Sequence, residues 1–207
     1  LMTHAALATF ISEGHYAGRR HAPYREEKDV PRDSLCPTYA ACLLHVRNRR
    51  WDGVPFLMRA GKGLNARMTE IRIRFQPVPG NIFAGTLRRF PPNELVIRVQ
   101  PDESIAFRIV NKAPGLDMTL EETRLDLRYA AAFDVEIPDA YESLLLDVLQ
   151  GDKSLFIRAD ELEAAWDIFT PVLHSLEAKH IQPQLYPFGG MGPEAAYGLA
   201  SRYGVVW

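Results

Sequence analysis

The chain has 207 residues, with 24 Lys and Arg against 26 Asp and Glu, for a formal net charge of -2. A content of 47% hydrophobic and 24% charged residues is that of a globular protein, which excludes collagen-like, disordered and disulfide-scaffold classes. The balanced charge also argues against a dedicated nucleic-acid binder, whose domain is usually strongly basic.

In chain order, residues 2–11 (MTHAALATFI) have the composition of a helix. Residues 14–37 are rich in Gly, Pro and charge and read as a long irregular loop. From residue 38 to 129 the pattern changes to a period of two. Ile71, Ile73 and Phe75 oppose Glu70, Arg72 and Arg74, while Leu95, Ile97 and Val99 oppose Glu94, Arg98 and Gln100. Ile105, Phe107 and Ile109 alternate with Arg108, and Leu125, Leu127 and Tyr129 with Asp126 and Arg128. Such alternation predicts half-buried strands with one polar face, which pair antiparallel. Pro and Gly clusters at 77–80, 91–92 and 114–115 supply the connections.

After Pro138 the period becomes helical. Tyr141, Leu144, Leu145 and Val148 line a helix that stops at Gly151. Asp160 is placed to cap a second helix carrying Leu162, Trp166, Phe169 and Leu173, which Pro171 should kink or interrupt. A last helix begins at Pro193 and ends at Gly204. Helix, then strands, then helices predicts one α+β domain over residues 1–207: a large, mainly antiparallel sheet with helices packed on one face. The start at Leu1, with Met2 second, reads as a piece of a longer product.

Cys36 and Cys42 are too few for a disulfide framework and read as reduced thiols. The six histidines show no metal-ligand spacing, so no metal is expected. Glu121-Glu122 reads as a turn or cap, and Trp51, Trp166 and Trp207 as core or anchor residues. Gly61-Lys62-Gly63-Leu64-Asn65-Ala66 matches G-x-G-x-x-A, but a strand pattern starts at Thr69 where the phosphate-binding helix belongs. The segment fits a different anion site. Residues 47–75 hold eight basic and two acidic residues, a local charge of +6. Lys62 lies between two glycines that permit close approach, and Arg67 follows with a planar fork suited to phosphate or carboxylate. The plainer reading of the same cations is solvated loop charge and strand-edge protection.

Longer motifs settle on a family. Arg49-Arg50-Trp51-Asp52-Gly53-Val54-Pro55-Phe56 and Arg59-Ala60-Gly61-Lys62-Gly63-Leu64 are followed, in order, by Asn93-Glu94-Leu95-Val96-Ile97-Arg98-Val99-Gln100-Pro101 and Lys112-Ala113-Pro114-Gly115. Pro138-Asp139-Ala140-Tyr141-Glu142, Arg158-Ala159-Asp160-Glu161, Ala165-Trp166 and Gly192-Pro193-Glu194-Ala195 complete the series. This succession closely resembles the C-terminal domain of glucose-6-phosphate dehydrogenases.

The resemblance implies an α+β sheet domain that follows an N-terminal Rossmann domain, assembles as a homodimer or tetramer, possesses no catalytic residue of its own and works in the cytoplasm. The whole enzyme oxidises glucose 6-phosphate to 6-phosphogluconolactone with NADP. In that picture Lys62 and Arg67, assisted by Gln100, reach the sugar phosphate. The catalytic histidine, its aspartate partner and the nucleotide-binding glycine loop belong to the N-terminal domain, so this chain is expected to be inactive alone. Some relatives carry a second, structural NADP on the sheet domain. Arg59, Arg72 and Arg98 match its residue types, but Met68 and Met191 stand where that site has a basic residue, which argues against it. The competing expectation is a stand-alone, non-catalytic self-association domain, and a weaker one a sheet that binds RNA or another polyanion.

Overall fold

The computed structural model describes residues 2–83, 90–133, 140–205 and 207. Pro138 and Asp139 of the motifs above, and Leu1, lie outside the described residues. In chain order the elements are β1 (Met2–Phe10), β2 (Gly14–Tyr16), β3 (Arg19–His21), a 3-10 turn (Tyr24–Glu26), β4 (Tyr39–His45), β5 (Pro55–Gly61), β6 (Thr69–Arg74), β7 (Glu94–Gln100), β8 (Ser104–Lys112) and β9 (Leu120–Arg128). There follow α1 (Tyr129–Ala132), α2 (Ala140–Gln150), α3 (Ala159–Ala178), β10 (Gln184–Tyr186) and α4 (Glu194–Ser201). Antiparallel sheets with a few helices make this a mixed α+β fold. The chain divides into two compact units, residues 1–66 with 155–207, and residues 67–154.

The first unit contains a four-stranded sheet of order β10-β1-β4-β5, with β10 parallel to β1 and the other pairs antiparallel. The helix expected over residues 2–11 is therefore corrected to a strand. Ala and Leu are strong helix formers, but intrinsic propensity is a weak determinant, and pairing on both edges overrides it. Ala6, Ala8 and Phe10 are buried with Tyr39, Ala41 and Leu43 of β4, Tyr186 of β10, and Ala196 and Leu199 of α4. Small side chains at positions 6, 8, 41 and 196 leave room for these layers to pack closely. The loop expected over residues 14–37 contains the short β2–β3 hairpin and the 3-10 turn, whose Tyr24 packs edge-on to Phe10 with centroids 5.9 Å apart.

The second unit is a β6-β7-β8-β9 antiparallel meander. All four strands fall where the alternation placed them, and register puts Ile71, Ile97, Ile105 and Leu127 in one cross-strand row. Exposure, however, is opposite to the usual sense. Ile71 is 53% and Leu125 63% exposed, whereas Glu94, Val96 and Ala106 on the polar face are buried. Arg72, Arg74 and Arg108 converge on Glu94 at 3.7, 3.8 and 3.8 Å on that face.

Among the helices, α2 stops before Gly151, whose φ of +71° is the left-handed conformation of a helix end. Pro171 lies inside α3, which continues past it to Ala178, so the helix is not interrupted there. Arg158, not Asp160, is the N-cap of α3, while Asp160 in the first turn accepts the Arg158 guanidinium at 3.0 and 2.6 Å.

Candidate functional site

Lys62 leaves the end of β5 in a loop built by its neighbours. Ideal Cβ atoms on Gly61 and Gly63 would lie 2.7 Å from the rings of Tyr39 and Phe188 respectively, and Gly63 has φ of +57°. Packing beneath the loop therefore favours glycine on each side of Lys62, and at Gly63 the backbone angle does so as well. The Lys62 N–H donates to the Thr38 carbonyl at 2.9 Å. Its carbonyl accepts the Tyr186 hydroxyl at 2.6 Å. Gly189 N–H donates to Gly63 at 2.7 Å, Asn65 N–H to Gly190 at 2.9 Å, and Leu64 bridges Gly190 in parallel. Lys62 itself is exposed, so a hydrogen-bonded backbone presents its side chain to solvent.

Arg67 is exposed just before β6, and Gln100 ends β7. Gln100 pairs with Thr69 and donates to its hydroxyl at 3.4 Å, so Arg67 and Gln100 come to the same end of the second unit's sheet. Lys62 belongs to the first unit and Arg67 to the second.

The other three arginines have partners within the chain. The Arg59 guanidinium lies 5.0 Å from the Trp207 ring centroid, a cation–π contact. Arg72 and Arg98 both bond Glu70, at 2.5 and 3.4 Å, and Arg98 lies 4.0 Å from the Met68 sulfur. Burial opposes ionisation of Glu70, but the Arg72 hydrogen bond and charge, reinforced by Arg98, hold its carboxyl below the ordinary value. A concavity of about 330 Å³ lined by Asp126, Leu127, Arg128, Ala131 and Ala132 contains none of these residues. Among the described residues no group of three or more His, Cys, Asp or Glu side chains is placed to hold a metal ion.

Tyr186 and Thr38 were not legible as parts of this loop. Proline at 183 and 187 around Leu185-Tyr186 is the one local signal of a short, bounded strand there.

A sheet-based α+β domain presenting a glycine-bracketed lysine is the class that fold and loop define. The family described as "Glucose-6-phosphate dehydrogenase, C-terminal domain" matches residues 2–207. The chain is 53% identical over 193 residues to glucose-6-phosphate 1-dehydrogenase 3, chloroplastic, of Arabidopsis thaliana, covering 92% of this chain and 32% of the relative. Against the chloroplastic enzyme of Nicotiana tabacum identity is 55% over 187 residues, covering 89% and 32%. A solved glucose-6-phosphate dehydrogenase in complex with its substrate glucose-6-phosphate superposes with TM-score 0.86 at 40% identity, over 98% of this chain and 41% of that one. The Mycobacterium avium glucose-6-phosphate 1-dehydrogenase gives 0.77 at 30%, over 99% and 40%. The chain belongs to the glucose-6-phosphate dehydrogenase family, within its C-terminal domain. It spans about a third of the length of these curated relatives.

Proposed function

We propose that this chain is the substrate-completing and self-associating part of a glucose-6-phosphate 1-dehydrogenase, which oxidises glucose 6-phosphate to 6-phosphogluconolactone. The observation that carries the reading is the Lys62 loop, a fixed backbone with an exposed ammonium, in a family with a solved member bound to glucose 6-phosphate. A phosphate monoester carries a charge of about -1.5 to -2 near neutrality, which suits a lysine point charge joined by the Arg67 fork. Gln100 adds an uncharged donor for an oxygen of the ligand. NADP supplies the hydride acceptor for the oxidation at C1 and is held by the N-terminal part of the enzyme. This chain's residues bind and orient the sugar phosphate, and the isolated chain is inactive.

A second, structural dinucleotide on this domain is not proposed. Met68 and Met191 stand where that site carries a basic residue, while Arg59 meets Trp207 and Arg72 and Arg98 share the one carboxylate of Glu70. The homodimer and the cytoplasmic location remain part of the proposal. The exposed apolar face of β6–β9 supports an associating surface.

Steady-state kinetics of the full-length protein test the site. Lys62→Ala should raise the KM for glucose 6-phosphate by an amount equivalent to about 2–5 kcal/mol, the cost of leaving a charged partner unpaired. A KM within twofold of the parent removes Lys62 from the site. If the gene encodes no Rossmann domain upstream, the stand-alone self-association reading replaces the enzymatic one.

A further inference from the structure

Tyr186 comes from a three-residue strand, is 1% exposed, and meets Lys62 across 124 positions of sequence. Its hydroxyl has a single proton, and the 2.6 Å contact assigns it to the Lys62 carbonyl. The tyrosine oxygen then accepts the Thr38 hydroxyl at 3.0 Å, and Thr38 Oγ1 accepts the Phe10 N–H at 3.2 Å. One relay thus runs from the central strand β1, through Thr38 and Tyr186, to the carbonyl of an exposed loop lysine. The Lys62 N–H closes the ring on the Thr38 carbonyl at 2.9 Å.

We propose that Tyr186 is a positioning residue for sugar-phosphate binding, its buried hydroxyl fixing the Lys62 backbone so that the ammonium is presented to the phosphate. This rests on the reading of Lys62 as a sugar-phosphate ligand. Satisfying a buried tyrosine hydroxyl needs one partner, and Thr38 alone provides it. The shorter bond goes instead to the loop, where both backbone polar groups of Lys62 are consequently held. A loop ordered before binding loses less conformational freedom when the ligand arrives, which appears as affinity rather than as a faster chemical step. Burial raises the Tyr186 pKa, so the hydroxyl keeps its proton, and the tether its donor, through the neutral range.

The test compares Tyr186→Phe, Lys62→Ala and the double variant in the full-length protein. Phenylalanine keeps the ring that meets Phe10 and Tyr39 edge-on at 6.2 and 5.7 Å, and removes only the hydroxyl. Tyr186→Phe should raise the KM for glucose 6-phosphate about tenfold with kcat within about twofold, as loss of preordering predicts. In the Lys62→Ala background it should add nothing. Amide hydrogen exchange should quicken over residues 61–65 while β1 and β4 keep their protection. A KM that responds to Lys62→Ala but not to Tyr186→Phe overturns the tether and leaves the sugar-phosphate reading standing. A KM that ignores Lys62→Ala overturns that reading itself. Exchange that quickens equally across β1, β4 and the loop makes Tyr186 a packing residue and also overturns the tether. Should Tyr186→Phe fail to fold, Thr38→Val removes the hydroxyl that feeds Tyr186. It should shift KM in the same direction while Thr38→Ser does not, and an unshifted KM in Thr38→Val counts against the tether.

Discussion

Gly63 shows how little freedom the lysine loop has. At φ +57° an alanine meets left-handed backbone strain, and its Cβ would sit 2.7 and 3.0 Å from two carbons of the Phe188 ring. The ring is itself held against Phe10 at 5.4 Å and stacked on His21 at 5.5 Å, so it has little room to retreat. Gly63→Ala should cost about 1–3 kcal/mol of stability, combining backbone strain and overpacking. Thermal unfolding checks the loss, and the KM for glucose 6-phosphate should rise with it because Lys62 is the adjacent residue. Tyr39, on the other side of the loop, has a buried hydroxyl beside the Arg59 cation. Burial pushes it up to about 12, against the pull of the Arg59 cation.

At the scale of elements, β6 and β7 are joined by charge as well as by backbone. Glu70 holds Arg72 along its own strand and Arg98 across the ladder. Its folded pKa lies below the ordinary 4.5, so its contribution is present above that pH and lost as pH falls through the lower folded value. Glu70→Gln should therefore be less stable at neutral pH, with the gap closing on acidification below about 4.5. Urea midpoints measured between pH 3 and 7 read this directly. A constant gap across that range would assign the loss to packing instead of charge.

The strands of this unit were legible because Ile71, Ile97, Ile105 and Leu127 recur at every second position in one register. Which face is covered was not legible. Alternation reports two unlike faces, but Val96 and Ala106 are buried on the arginine-bearing one, Arg72 standing directly across from Val96, which depends on cross-strand neighbours. The β1 segment failed for a related reason. Its Ala-rich composition suits a helix in isolation, whereas its conformation is set by β4 and β10, tens to more than a hundred and seventy positions away.

For the whole molecule, two compact units from one chain leave broad apolar surface exposed, including Ile71 and Leu125 on the meander and Leu149 and Trp166 on α2 and α3. Exposed apolar side chains on the meander itself support the self-association proposed above. The full-length protein is therefore expected to sediment as a dimer. A monomer persisting at micromolar concentration by analytical ultracentrifugation would remove self-association from the proposed function. The +6 stretch and its lysine between glycines could be read from residue order alone, since charge density and glycine spacing are local properties of a chain. So could four strands, the helix ending at Gly151 and the family motifs. Tertiary structure decided that residues 2–10 form a central strand. It also bound Lys62 to Thr38 and Tyr186, and matched Arg72 and Arg98 to one carboxylate. Each of these outcomes joins groups distant in sequence or depends on strand register, so it forms only when the chain closes on itself and leaves no periodic trace beforehand.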